Sequence, residues 1–297
     1  MRILLIGVGN LGKRYLEGLI KIKNKNTKIF IYDKNKDILK DINNYYKNKS
    51  KNLYILKSLN KTPLKIFDLC IRSTTANDRH ILIKKIINKF KIKSWILEKL
   101  VSNRVHNLDK IYNLLKKADV YVNLPRNYHH IYQFLKKKKL KKIFIKTKGG
   151  NWNIGSNSIH HLYLLEWLTD DNIIKIYIYK DKFYPSKRTG YFDFYGKIVG
   201  YTASNSKISI ESENNDQKFT TKINNLKTQW IINEHKGILK NEGKIILKNK
   251  FNLQSRITPN IIKSINKGCL LPKFKDIYNL HRLILLEYKK LGFFKVT

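Results

Sequence analysis

The sequence predicts an α/β chain in two parts: a parallel sheet wound with helices, followed by an α/β domain with an open, predominantly antiparallel sheet. Three observations predict it. An apolar run, Ile3 to Ile6, feeds a glycine turn at Gly7, Gly9 and Gly12, and Leu11, Tyr15, Leu16, Leu19 and Ile20 then recur at helical spacing. Apolar strands and helical stripes alternate through about the first 120 residues, the pattern of repeated βα units. Beyond about residue 140, strand-like runs follow one another across short polar turns, which means antiparallel pairing. The division is expected at 1–122 and 123–297, with the last helix able to pack back on the first part.

Composition narrows the classes. A chain of 297 residues with 42% hydrophobic residues buries a large core and is globular. Lys or Asn interrupts every apolar run, so no membrane span is expected, and the glycine-punctuated N-terminus does not read as a secretory signal. Cys70 and Cys269 stand far apart, in no metal-like spacing, and read as reduced thiols of a cytoplasmic protein. The formal charge of +40 comes from lysines spread along the whole chain and mixed with Asn and Ile, residue types with AT-rich codons. Base composition therefore accounts for it, and no nucleic-acid partner is expected. The field still favours anionic small ligands.

The elements follow in order. Ile3 to Ile6 is the first strand. Gly7 allows the turn, Gly9 lets the backbone approach a pyrophosphate, and Gly12 lets the helix pack on the strand, with Asn10 and Leu11 at the helix N-terminus between them. Lys28 to Tyr32 is the second strand, and Asp33 follows it. Strand, glycine turn, helix, strand and acid together read as a dinucleotide site. Asp33 accepts from a ribose 2′-hydroxyl, which favours NAD, while Lys34 and Lys36 leave NADP open. A polar helix covers Lys36 to Tyr46. Strands are expected at Leu53 to Leu56, Ile66 to Ile71, Trp95 to Leu97 and Val120 to Asn123. Helical stripes fall at Leu82 to Phe90 and Leu108 to Leu115. The second part holds a helix from Ile159 to Leu168 and strands from Ile174 onward, among them Tyr191 to Tyr195, Lys197 to Thr202 and Ile245 to Leu247. Helices at Ile261 to Asn266 and Asp276 to Lys290 close the chain, the latter with Ile277, Leu280, His281, Ile284, Leu285 and Tyr288 inward.

Ligands bind at the carboxyl ends of parallel strands, so the polar residues just past strands matter most. Ser73, Thr74, Thr75 and Asn77 either hydrogen-bond a ribose or nicotinamide or cap a helix. His80 packs against that loop. Glu98-Lys99 ends a strand; Lys99 is either a solvated charge or is held by Glu98 to orient a substrate hydroxyl. Pro125-Arg126 follows another strand. Either His160 or His161, at the junction of the two parts, is a candidate general base. Trp152 either stacks on a sugar ring or fills the junction. No metal site is expected.

These stretches taken in order resemble the Gfo/Idh/MocA family of NAD(P)-dependent oxidoreductases, in a divergent form. The matching stretches are Gly7-x-Gly9-x-x-Gly12 with Asp33; Thr75-Ala76-Asn77-Asp78-Arg79-His80, similar to T-P-N-x-x-H; Glu98-Lys99-Leu100, similar to E-K-P; Asn123 to Tyr128; Gly149-Gly150; and Ile159-His160 with Leu164 to Leu168. The resemblance implies a Rossmann domain and a substrate and oligomerisation domain. It implies NAD as cofactor, a sugar or nucleotide sugar as substrate, and a homo-oligomer, dimer or tetramer; the divergent form is associated with surface-polysaccharide pathways. It maps the catalytic lysine to Lys99 and the catalytic histidine to His160, with Arg126, Trp152 and Asn157 on the substrate side. Ser156 stands where the family often has an aspartate, which leaves a non-catalytic dinucleotide-binding regulator as the alternative.

Overall fold

The computed structural model describes residues 1–46, 50–60, 62, 64–186, 188–226 and 228–292. They divide into two compact units. The first comprises 1–102, 106–123 and 252–276, and the second 103–105, 124–251 and the chain from Ile277 onward. The fold class read from the sequence is the one observed.

In the first unit, strands β1 (Arg2–Ile6), β2 (Lys28–Tyr32), β3 (Leu53–Ile55), β4 (Ile66–Arg72), β5 (Lys91–Leu97) and β6 (Asp119–Val122) alternate with helices α1 (Asn10–Ile20), α2 (Lys36–Tyr46), α3 (Arg79–Ile87) and α4 (Val105–Leu115). All pairings are parallel, in the order β3-β2-β1-β4-β5-β6. Helices on both faces explain why the central strands are continuously apolar; Ile3, Leu4, Leu5 and Ile6 are all buried, as are Leu69, Cys70 and Ile71. The strand order reverses between β1 and β4, the place where such sheets bind ligands.

A division at 122/123 assigns everything after Val122 to the second part, but the chain returns to the first unit at 252–276. The return includes the first turn of the last helix, Phe274 to Asp276, and helix α7 (Gln254–Ser264). The latter packs on α1 where Gly18 leaves no room for a side chain: a Cβ there would lie 2.6 Å from Thr258 Cβ and 2.9 Å from the Ser255 carbonyl oxygen. Helix α7 also begins well before the expected Ile261 and runs through Pro259, which reads as a breaker in the sequence. Proline frees the carbonyl four residues back, and that carbonyl, of Ser255, is the one turned against Gly18.

The second unit is built on an eight-stranded sheet in the order β14-β13-β12-β11-β7-β10-β9-β8. Its strands are β7 (Phe144–Gly149), β8 (Ile173–Pro185), β9 (Phe192–Thr202), β10 (Lys207–Ser212), β11 (Thr220–Asn224), β12 (Gln229–Asn233), β13 (Ile238–Asn241) and β14 (Lys244–Lys248). Only β7 and β10 pair in parallel. Helices α5 (His130–Lys136), α6 (Ile154–Thr169) and α8 (Phe274–Lys290) accompany it. Two expected strands, Tyr191 to Tyr195 and Lys197 to Thr202, are one strand, β9. Gly196 between them is not a break: at φ +137° it fits against a β8 bulge, and a Cβ would lie 2.2 Å from the Tyr179 carbonyl. All six residues expected inward on the last helix are buried. No helix among the described residues is long and apolar enough to cross a membrane.

Candidate active site

The glycine turn is held by contacts that exclude side chains at two of its three glycines. Gly7 has φ +89°, and its N–H donates to the Tyr32 carbonyl at 2.9 Å. A Cβ on Gly12 would lie 2.0 Å from the Gly7 oxygen, so α1 can sit against the end of β1 only with glycine there. Around Gly9 a Cβ would meet nothing within 4 Å. Gly9 is also the N-cap of α1, with no side chain capping the helix. The first-turn N–H groups of Asn10, Leu11 and Gly12 therefore face an open space at the positive end of a helix dipole, an arrangement that suits an anion such as a phosphate.

Asp33 is tied into the same turn. One carboxylate oxygen accepts from the Val8 N–H at 2.8 Å and the other from the Asn35 N–H at 2.9 Å. Each oxygen keeps a second lone pair for a hydroxyl donor. From the other side of the strand-order reversal, the Ser73 hydroxyl donates to the Gly7 carbonyl, and the Thr74 methyl lies 2.6 Å from where a Gly7 Cβ would be. The structure thus brings Gly7 to Gly12, Asp33, Ser73 and Thr74 together. Asn77 donates to the Asp78 carboxylate at 3.2 Å. His80 has Lys110 and His106 of α4 and Asp78 as its charged neighbours; burial first, then Lys110, lowers its pKa.

Lys99 lies on a loop that Arg79 holds rigid. The Arg79 guanidinium is 1% exposed and donates to the carbonyls of Glu98, Leu100 (2.7 Å), Val101 (2.9 Å) and Thr74 (2.7 Å). The Lys99–Leu100 peptide is cis. The Glu98 carboxylate accepts from Tyr15 Oη at 2.6 Å and Asn123 Nδ2 at 2.8 Å. Burial raises its pKa, against those bonds and the charges of Arg79 and Lys99. Glu98 therefore anchors the strand end, and Lys99, half-buried, follows it.

In the second unit, α6 begins at Ile154, five residues before the expected start. The reason is Asp193 on β9, whose carboxylate accepts from the N–H groups of Gly155 (2.6 Å) and Ser156 (3.1 Å). A buried acid from a distant strand caps the helix, so the chain beside it needs no local cap residue. Successive helical residues point about 100° apart. His161 is wholly buried, while His160 is half-buried and is the reachable member of the pair. His161 Nε2 takes a hydrogen bond from Arg126 Nη2 at 3.0 Å, which leaves the proton on Nδ1 to reach Thr147 Oγ1 at 3.3 Å. Burial first, then the Arg126 charge, holds its pKa well below the usual range. Arg126 is also paired bidentately with Glu234, at 2.9 and 3.1 Å, and Tyr132 donates to the same carboxylate. Trp152 donates to the Glu211 carbonyl at 3.1 Å and packs against Phe219 and the edge of His161. Asn157 donates to the Trp152 carbonyl at 2.9 Å, and Ser156 Oγ to the Asn153 carbonyl at 3.2 Å.

The sequence reading did not single out Arg72, Tyr15, Asp193 or Glu234. Tyr15, Asp193 and Glu234 act on residues distant in the chain, and Arg72 acts on Thr74, two residues on; no local spacing marks the role of any of them.

No family model matches the sequence, and no curated protein does. Solved structures do match. An oxidoreductase from Agrobacterium radiobacter, in complex with NAD+, L-tartaric acid and magnesium, superposes with a TM-score of 0.77 at 12% identity, covering 98% of this chain and 96% of that one. The myo-inositol dehydrogenase of Lactobacillus casei, in complex with NAD(H) and myo-inositol, gives 0.72 at 13% identity, covering 98% and 94%. The UDP-N-acetylglucosamine 3-dehydrogenase GnnA of Acidithiobacillus ferrooxidans gives 0.72 at 11% identity, covering 98% and 96%. At these identities the likeness establishes the fold of the whole chain.

Proposed function

We propose that the protein is an NAD(P)-dependent oxidoreductase that transfers a hydride between nicotinamide and a hydroxyl or keto carbon of a sugar or nucleotide sugar, within surface-polysaccharide synthesis. One observation carries the reading: a glycine turn, open at Gly9 and tied to Asp33, stands at the strand-order reversal of an all-parallel sheet. Among the structures with this fold are a myo-inositol dehydrogenase and a UDP-N-acetylglucosamine 3-dehydrogenase, which support the substrate class.

Gly7, Gly9, Asn10, Leu11, Gly12 and Asp33 hold the adenosine diphosphate half, with Ser73, Thr74, Thr75, Asn77, His80 and Glu98 extending the wall. NAD is the preferred cofactor, since Asp33 offers acceptors to a ribose diol and would repel a 2′-phosphate. When bound, the nicotinamide supplies the hydride acceptor or donor. His160 removes the hydroxyl proton in the oxidative direction, and Lys99 orients the same oxygen. Trp152 and Asn157 serve the substrate side. Arg126 serves it as a brace for His161, because its guanidinium is already committed to Glu234. The second reading, a cofactor-binding regulator, is favoured by Ser156, which brings no carboxylate to the His160 face of α6. Nicotinamide absorbance followed over a nucleotide-sugar and polyol panel decides. Turnover with at least one of them is expected; NADH binding with no turnover on any panel member would establish the regulator instead.

We also place the protein as a homo-oligomer joined through the open face of the second unit's sheet, where Tyr177 and Tyr179 are exposed. Register puts Lys146, Lys222 and Lys240 in one row across that face, with Lys148 and Lys197 in the next. Glu211 and Glu213 neutralise part of it. Like charges facing across a two-fold axis repel, and salt screens them. Sedimentation should show the dimer fraction rising with salt; a monomer at every salt concentration would refute the assignment.

A further inference from the structure

Arg72 ends β4 immediately before the Ser73-Thr74 loop, and it is a charge without a counter-ion. Its side chain is 2% exposed. Nη1 donates to Thr74 Oγ1, and Nε has no partner. Among the described residues no carboxylate pairs with it. The charge acting on it is that of Arg79, which repels it; the Cys70 thiol, which burial pushes up to about 12, stays neutral. Burial, followed by Arg79, brings the Arg72 guanidinium down to about 9, the direction of a cation short of an anion.

A guanidinium buried without a partner is costly, and folds normally pair it or replace it with an apolar residue. The neighbouring strand-end positions on the same side of the sheet, Ile6 on β1 and Leu97 on β5, are apolar. Nothing in the packing of the sheet therefore calls for a charge at 72. What the position does offer is nearness to the glycine turn. The hydroxyl that Arg72 contacts belongs to Thr74, whose methyl lies 2.6 Å from where a Gly7 Cβ would be. That hydroxyl accepts from the guanidinium and retains its own proton, whose present acceptor, the Thr75 carbonyl, is a distant 3.5 Å away. A polarised O–H at the carboxyl ends of β1 and β4 is an anion donor in waiting.

We propose that Arg72 and Thr74 form a second anion subsite beside the glycine turn, which supplies the positive charge for the diphosphate of the bound dinucleotide. The proposal rests on the dinucleotide reading above. The glycine turn offers the diphosphate N–H groups and a helix end; Arg72 adds a full charge, relayed by the Thr74 hydroxyl. Arg72 is thus a binding residue whose unpaired burial in the free protein is relieved by the ligand.

The test is equilibrium titration with NADH and with ADP-ribose, both of which carry the diphosphate, using the wild type, Arg72→Met, Arg72→Lys and Thr74→Val. Arg72→Met should weaken both ligands at least about tenfold. Its free form should melt no lower than wild type, because the change removes an unpaired charge. Arg72→Lys should retain part of the affinity. Thr74→Val should weaken both ligands while keeping the charge. The affinity of wild type should fall with rising salt more steeply than that of Arg72→Met. Wild-type affinity and salt dependence in both Arg72→Met and Thr74→Val would overturn the proposal while leaving the dinucleotide reading intact. A wild type that binds neither ligand, nor NADPH, would overturn both.

Discussion

Lys99→Met and His160→Ala are each expected to lower kcat by about 10²–10⁴-fold, the usual contribution of a positioned acid–base or orienting group. NADH affinity should stay within about threefold, since neither side chain belongs to the turn proposed for the diphosphate. His161→Ala makes the contrast. His161 is wholly buried and accepts from Arg126. Removing it leaves a guanidinium donor without its acceptor and a void beside Trp152 and Phe219. Its signature should be lost thermal stability, of about 2–4 kcal/mol, with any loss of turnover following from that. Steady-state kinetics beside melting curves separate the two histidines. Full activity in the Lys99→Met, His160→Ala double variant would end the mechanistic assignment.

The second large effect concerns the glycines, where two similar substitutions should behave differently. Gly12→Ala places a methyl 2.0 Å from the Gly7 oxygen, a distance no packing accommodates, so α1 must shift from the end of β1. NADH affinity should drop by at least about 100-fold, close to 2.7 kcal/mol, and the melting temperature should fall as well. Gly9→Ala meets nothing within 4 Å, and Gly9 has φ −64°, which alanine adopts freely. The free protein should therefore melt within a degree or two of wild type. Affinity should nonetheless fall, because the methyl occupies the space where the diphosphate approaches the backbone. Calorimetric melting and NADH titration of the two variants distinguish a glycine needed for the fold from a glycine needed for the ligand. Unchanged affinity in Gly9→Ala would contradict the placement of the diphosphate.

Much of this architecture was legible from local pattern. The stripe Ile277, Leu280, His281, Ile284, Leu285 and Tyr288 marks one helix face and is buried throughout. Residues 36 to 46 read as a helix and form one with those bounds. The glycine turn was legible because its requirements, a positive φ at Gly7 and a close approach at Gly12, leave glycine as the only solution. What escaped was decided by partners far along the chain. The start of α6 depends on Asp193, nearly forty residues on, and no residue beside Ile154 announces it. Gly196 looks like punctuation between strands until the β8 bulge it fits is known. Helix α7 is masked by Pro259, which reads as a breaker unless Ser255 has Gly18 to face. The return of 252–276 to the first unit has the same origin: apolar periodicity shows that a helix buries one face, not which helix it buries it against.

The candidate site divides along the same line. Gly7, Gly9, Gly12 and Asp33 declare themselves by spacing. Arg79 does not, although it fixes the loop bearing Lys99 through four carbonyls contributed by two loops. Arg126 was legible as a polar residue past a strand. Its commitment to Glu234, over a hundred residues away, becomes visible only in the fold.

The claim on which the rest depends is that the turn beside Asp33 holds a dinucleotide. Titration of the wild-type protein with NADH and NADPH, read by tryptophan fluorescence, tests it most directly. Saturable binding of NADH, tighter than that of NADPH and lost in Gly12→Ala, is the expected result. Absence of saturable binding of either nucleotide, or equal binding by wild type and Gly12→Ala, would contradict it.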